Sequence, residues 1–289
     1  MKETLSKYGY TLSDSDIQDV IGSVKANLAK WQTKEVYSNC LGMVDLTTLN
    51  GTDTHSKVRA FTEKVNKAKE HYPDAPYPAS ICVYPNFSKT IKDILTAEGV
   101  HITVVSGCFP ASQSYLEVKL LESKMAVENG ANEVDIVLAH NAFLDGNYAE
   151  CSREISEIKK TIGDAHLKVI LESGSLPSSE DIAKASFLSM EAGADFIKTS
   201  TGKTSPAATP EAAVVMCECI KLYYKATGRK IGFKPAGGIV TAEDAALFYG
   251  IVDTILGQEW LNKEMFRFGA SRMANNLLTE IIGTEVKYY

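Results

Sequence analysis

Three lysines occupy positions that lysine usually avoids. Lys168 in L-K-V-I-L, Lys198 in F-I-K-T-S-T-G-K and Lys234 in I-G-F-K-P-A-G-G each sit in a run of apolar and β-branched residues that reads as a strand. Lysine is depleted in strands and is rarely buried without a partner. Edge strands or structural ion pairs would account for such positions. A closed barrel has no free edge, however, and the C-terminal ends of its strands face the place where barrel enzymes carry out their chemistry. An inward lysine beside other lysines loses ammonium stability through desolvation and like charge, so its pKa falls. A fall from about 10.4 to roughly 7.5 costs about 4 kcal/mol and raises the neutral fraction at pH 7 several hundredfold. Carbinolamine formation with an aldehyde needs that neutral amine.

Such chemistry also requires an acid and base group. Asp135 in E-V-D-I-V and Asp45 in M-V-D-L-T-T-L are carboxylates embedded in apolar strand runs. Each taken singly reads as a satisfied structural group; beside an inward lysine each becomes a candidate proton relay. Three turns supply backbone N–H groups suited to a phosphate: Ser200 to Lys203 (S-T-G-K), Ala236 to Gly238 (A-G-G) and Phe268 to Ser271 (F-G-A-S). Barrels often bind phosphate in the loops after late strands. Gly202-Lys203-Thr204 resembles the end of a P-loop, but the glycine needed five residues earlier is Ile197, which rejects a nucleotide-binding loop.

Other chemistries find little support. His55, His71, His101, His140 and His166 lack ligand-like spacing, and Cys217-Glu-Cys219 falls on a helical stretch where residues two apart face different ways. No metal site is expected. The six cysteines, scattered and partly within apolar runs, read as reduced and buried. With a formal net charge of −6 and 30 dispersed Lys and Arg residues, the chain has no basic footprint for nucleic acid or an anionic membrane. Met1 to Asp16 has no signal-peptide pattern, and no apolar run reaches the roughly 18 residues of a span, so a cytoplasmic protein is expected.

Eight strand-like runs must hold these groups: Leu41 to Leu46, Ser80 to Tyr84, Ile102 to Ser106, Glu133 to Leu138, Leu167 to Leu171, Asp195 to Thr199, Lys230 to Lys234 and Phe266 to Ala270. Their spacing leaves room for a crossover helix after each. Their nearly continuous apolar character suits strands covered on both faces. Thr209-Pro210-Glu211 and Thr241-Ala242-Glu243-Asp244 carry helix-start chemistry, while Gly130 and Gly193 stand where helices should stop. Before Ser38 there is no strand-like run, and Asp14-Ser15-Asp16 precedes a helical spacing of Ile17, Val20, Ile21, Val24 and Leu28. The expectation is one (β/α)8 TIM barrel domain over residues 1–289, with 1–38 a helical extension and 273–289 a C-terminal helix and tail. An open doubly wound sheet is the alternative, disfavoured by the eightfold recurrence and the lack of G-x-G-x-x-G after a first strand.

Between Met43 and Ser271 the sequence resembles the deoxyribose-phosphate aldolase family. D-L-T-T-L-N, I-C-V-Y-P, E-V-D-I-V, L-K-V-I-L-E-S-G, A-G-A-D-F-I-K-T-S-T-G-K, I-G-F-K-P-A-G-G-I and R-F-G-A-S follow in the family's order. The resemblance implies a cofactor-free class I aldolase that reversibly cleaves 2-deoxy-D-ribose 5-phosphate to glyceraldehyde 3-phosphate and acetaldehyde, a lyase of deoxyribonucleotide and carbohydrate catabolism, with a homodimer expected. It assigns Lys198 as the Schiff-base lysine, Lys234 as the neighbour that depresses its pKa and Asp135 as the proton relay. Lys168 and Asp45 match supporting positions, and Gly202, Lys203, Gly237, Gly238 and Ser271 match phosphate-binding turns. Thr201 and Arg272 are further candidates, as is the terminal Tyr289, since some members use a C-terminal tyrosine in proton transfer. Two positions depart from the pattern: the basic residue many members have after G-G-[IV] is Val240, and a second serine after G-A-S is Arg272. The phosphate-binding charge has either moved or weakened in favour of non-phosphorylated aldehydes. A class I aldolase for another aldehyde pair, and a non-catalytic barrel binding a sugar phosphate or flavin phosphate, are the competing readings.

Overall fold

In the computed structural model, which describes residues 2–289, all eight expected strands are present. They are β1 (Val44–Thr47), β2 (Ser80–Val83), β3 (His101–Val105), β4 (Glu133–Val137), β5 (His166–Ile170), β6 (Phe196–Lys198), β7 (Gly232–Lys234) and β8 (Phe268–Ala270). Every pairing is parallel, in the order β7-β6-β5-β4-β3-β2-β1-β8. The two ends meet through parallel bridges Phe233↔Phe266 and Ala236↔Gly269. This closure replaces the open-sheet alternative: Arg267 N–H donates to Phe233 O at 3.1 Å and Gly269 N–H to Pro235 O at 2.9 Å, so neither β7 nor β8 is left as an edge.

Register follows from the apolar runs, because a one-residue slip would move every inward side chain outward. Asp135 is the partner of Lys168, and Lys198 of both Ile170 and Lys234. The barrel interior therefore carries its charged residues on neighbouring strands at similar depth. Gly232 makes the packing beneath them feasible, since a Cβ there would lie 2.3 Å from the ring of Phe196. That ring in turn faces the cations of Lys168 and Arg267, each 5.9 Å from its centroid.

The helix signals hold at most positions. Thr209 caps helix Pro210–Thr227 and Thr241 caps helix Ala242–Leu256, the latter in a reciprocal capping box with Asp244. Gly130 and Gly193 take left-handed φ values of 110° and 112° just past their helices. Two details differ. Leu41 and Gly42 end helix Lys34–Gly42 and do not begin β1, because the preceding polar turn at Thr33 starts a helix that continues through them. The second N-terminal helix, Asp14–Ala26, is capped by Ser13, which leaves Asp14 inside its first turn.

The N-terminal helices pack against the outside of helices Ser179–Glu191, Pro210–Thr227 and Ala242–Leu256. Tyr8 stacks on Phe187 with ring centroids 4.5 Å apart, and Ile17, Ile21 and Val24 are buried. Trp31 Nε1 donates to Asp253 at 2.9 Å, and Gly250 leaves the space its ring needs. Met1, which the expected extension includes, lies outside the described residues. Helix Arg272–Ile282 and the tail that follows it end the chain. Among the described residues no helix is long and apolar enough to cross a membrane.

Candidate active site

Parallel strands whose side chains alternate inward bring seven charged groups into the sealed centre of the barrel. Asp45, Glu133, Asp135, Lys168, Lys234 and Arg267 are fully buried and Lys198 is 3% exposed. Lys198 Nζ donates to Asp135 Oδ2 at 2.8 Å, and Lys234 Nζ donates to the same oxygen at the same distance. Lys234 also meets Asp45 Oδ2 at 2.5 Å. Lys168 Nζ bridges Glu133 Oε2 at 2.5 Å and Asp135 Oδ1 at 3.1 Å. The guanidinium of Arg267 reaches Asp45 Oδ1 at 2.6 Å and Glu133 Oε1 at 2.8 Å. Ser80 and Thr103 hydroxyls complete the shells of Asp45 and Glu133, at 2.8 and 2.7 Å.

These partners push the proton affinities apart. Burial lowers the pKa of Lys198, the Lys234 ammonium lowers it further, and the pull of Asp135 does not cancel the two. Lys234 is equally buried, yet Asp135 and Asp45 together raise it well above the ordinary lysine range. Burial opposes ionisation of Asp135, but the three surrounding lysines hold it far below the usual carboxylate range, and Glu133 is held down by Lys168, His101 and Arg267. One amine beside the carboxylate therefore holds its proton less firmly than an ordinary lysine, while its neighbour holds its own more firmly.

Above this cluster opens a cavity of about 240 Å3. Of the seven charged groups Lys198 alone lines it among the described residues, together with Thr201, Gly202, Lys203, Gly237, Gly238, Val240, Ser271 and Arg272. The sequence-derived phosphate turns thus converge on one rim. Gly202 and Gly237 touch each other: a Cβ on Gly237, at φ 81°, would lie 2.9 Å from the Gly202 Cα and 2.8 Å from the Ala207 Cβ. Lys203 leans across the mouth to donate to Leu49 O, and Ser271, at the N-terminus of helix Arg272–Ile282, lines the rim without a side-chain hydrogen bond to cap that helix. Arg272 restores a cation to a rim where Val240 offers none.

Tyr289 is not among the residues lining the cavity. Its backbone N–H donates to Asn275 Oδ1 at 2.8 Å and its carbonyl accepts from Asn275 Nδ2 at 2.9 Å, while its ring packs on Tyr288.

Several contributors escaped the sequence reading. Glu133 lies two residues before Asp135 on one strand, so its inward direction was available from the alternation alone. Arg267, between Phe266 and Phe268, is a fourth cation in an apolar run and carries the same signal as the three lysines. Gly269 has no such signal, yet a Cβ there would lie 2.6 Å from that of Ala236 and 3.2 Å from Lys234 Cε. Glu172, buried and left-handed at φ 45°, accepts from the Thr201 N–H at 3.0 Å and its hydroxyl at 2.5 Å, which fixes the rim turn.

A sequence profile described as DeoC/LacD family aldolase matches residues 40–256. The chain belongs to this aldolase family. The human deoxyribose-phosphate aldolase is 40% identical over 263 residues, covering 88% of this chain and 81% of that protein. Its mouse counterpart is 39% identical over the same coverage. Among solved structures, the tetrameric deoxyribose phosphate aldolase of Aeropyrum pernix is 26% identical with a TM-score of 0.67, covering 93% of this chain and 98% of that one. A triosephosphate isomerase from Bartonella henselae, at 15% identity and a TM-score of 0.51, shares the fold alone. The aldolase is thus a lyase on a (β/α)8 barrel, and Lys198, at the C-terminal end of β6, is the lysine of the buried cluster that reaches the cavity at the mouth.

Proposed function

We propose that this aldolase reversibly cleaves 2-deoxy-D-ribose 5-phosphate to D-glyceraldehyde 3-phosphate and acetaldehyde, with Lys198 as the covalent nucleophile. The observation that carries the reading is the asymmetry between two buried lysines on one carboxylate oxygen: Lys198 lines the cavity and meets Asp135 alone, whereas Lys234 lies beneath it and meets Asp45 as well.

In the cleavage direction the neutral Lys198 amine adds to the C1 aldehyde of the open-chain sugar. A proton reaches the oxygen, water leaves, and a protonated imine forms. Removal of the C3 hydroxyl proton then breaks the C2–C3 bond, and its electron pair moves into the iminium to give an enamine. Glyceraldehyde 3-phosphate departs, the enamine is protonated on carbon, and hydrolysis returns acetaldehyde and free Lys198. Asp135, anionic at rest and hydrogen-bonded to both Lys198 and Lys234, takes up a proton transiently and passes it on in these steps, with Lys234 supplying a positive charge beside it. The Gly202, Lys203, Gly237, Gly238, Ser271 and Arg272 rim is suited to the 5-phosphate of the substrate.

Borohydride reduction with acetaldehyde or deoxyribose 5-phosphate, followed by intact mass and peptide mapping, tests the reading. One adduct per chain, on Lys198 and absent in Lys198→Ala, is expected. An adduct elsewhere, or none, overturns it.

A further inference from the structure

The buried charges form a closed ring. Arg267 joins Asp45 to Glu133, Lys168 joins Glu133 to Asp135, and Lys234 joins Asp135 back to Asp45, with contacts between 2.5 and 3.1 Å. Within that range each of the three cations bridges two carboxylates and each carboxylate is shared by two of the cations, and Lys168 lies a further 3.9 Å from Asp45 Oδ2 across the ring. The ring is electrically neutral without Lys198, whose ammonium meets Asp135 from outside it. We propose that Arg267 is a positioning residue for the reaction: by closing the neutral ring it makes Lys198 the surplus cation of the barrel interior and so the amine that gives up its proton.

The physical reason is charge balance in a region that water barely enters. A buried cation without compensation is strongly penalised, and the least costly relief is loss of a proton. Arginine cannot provide it, because guanidinium does not deprotonate in proteins. Lys168 and Lys234 each hold two carboxylates. Lys198 has one, and that one already serves two other lysines. Two other titratable groups border the ring. Cys82 on β2 is pushed upward by burial and stays a neutral thiol. His101 on β3 has its Nδ1 2.6 Å from Glu133 Oε1 and is the further imidazole whose charge would enter.

This inference rests on the reading of Lys198 as nucleophile, and one experiment separates the two. The pH dependence of borohydride trapping with acetaldehyde reports the free amine directly. Arg267→Gln opens the ring and leaves an excess carboxylate, so Lys198 is retained as ammonium and the acid limb should move up by about one to two pH units. Glu133→Gln should move it down. The double variant Arg267→Gln/Glu133→Gln removes one charge of each sign and should return the limb to the wild-type position, while also sparing the fold an unpaired buried carboxylate. Arg267→Lys keeps the charge and should keep the limb. Repeating the series with His101→Gln prevents an imidazolium from supplying the missing charge. Coincident acid limbs throughout, or a double variant displaced further than Arg267→Gln, overturn the inference. Failure of the wild-type protein to trap on Lys198 would instead overturn the assignment of the nucleophile.

Discussion

Lys198 and Lys234 donate to the same oxygen, Asp135 Oδ2, each at 2.8 Å, so their ammonium groups lie no more than twice that distance apart. Only Lys234 has a second carboxylate in contact, Asp45 at 2.5 Å. Two chemically identical side chains on adjacent strands thereby acquire opposite tendencies, the division of labour expected where titratable pairs are driven apart by their surroundings.

Replacing Lys234 by Met should abolish that division. Asp135 would then serve Lys198 without a competing ammonium on the same oxygen, and the Lys198 pKa would rise. The reactive free base is populated above the pKa, so the acid limb of kcat/KM moves to higher pH. At pH 7 the loss should be about ten- to a hundredfold, with part of it recovered on raising the pH. A pH–rate profile with deoxyribose 5-phosphate checks this, and a uniform loss at every pH would point to a role for Lys234 other than charge.

Lys198 itself should be a stability liability. Its pKa is depressed in the fold, so its cost to the native state is full below the folded pKa. That cost disappears as pH rises towards the unfolded value near 10.4. Lys198→Met should therefore be inactive yet more stable at neutral pH, by about 2–4 °C in Tm, with the gain shrinking above pH 9. Thermal melts of both proteins across that range decide the matter; a variant that melts earlier at pH 7 counts against an uncompensated ammonium.

Asp135 has the opposite sign. Its pKa is lowered by three lysines, so its stabilising contribution is present above the unfolded carboxylate value and is lost as pH falls through the folded one. Asp135→Asn strips the charge from between Lys168, Lys198 and Lys234 and should destabilise by about 3–5 kcal/mol, the usual result of breaking a buried pair from one side. Activity should fall by at least about a hundredfold, since general acid–base help of this kind is worth that much. Denaturant melts and initial rates measure the two effects separately. Asp135→Asn with near wild-type stability would mean that the lysines shed protons instead.

The barrel was legible because its strands are covered on both faces and spell themselves as apolar runs, and lysines inside such runs announce their own misfit. Residues 41 and 42 were misjudged because an apolar pair reads alike at the end of a helix and at the start of a strand. Arg267 and Glu133 carried a local signal, a charge inside an apolar run, but their pairing was not legible: the carboxylates that Arg267 meets lie 222 and 134 positions away along the chain, and nothing local shows which distant charge a buried ion will meet. Glu172 and Gly269 act through backbone geometry and close approach, and these exist only after the loops have been assembled.

The rim offers the sharpest test of substrate preference. Gly237 and Gly202 approach closely enough that a Cβ on Gly237 would meet backbone, at a φ that side chains avoid. Gly237→Ala should thus raise KM for deoxyribose 5-phosphate while leaving acetaldehyde trapping on Lys198 intact, because the turn lies away from the amine's own partners. Val240 lines the same rim and brings no charge, whereas Arg272 brings one. If Arg272 has taken over the anchoring of phosphate, Arg272→Ser should raise KM for the phosphorylated sugar about tenfold, near the 1.4 kcal/mol scale of one charge-assisted hydrogen bond. It should leave free deoxyribose unaffected, and Val240→Arg added to it should restore much of the lost affinity. Equal effects of Arg272→Ser on phosphorylated and free sugar would show that the rim does not select for phosphate through this residue.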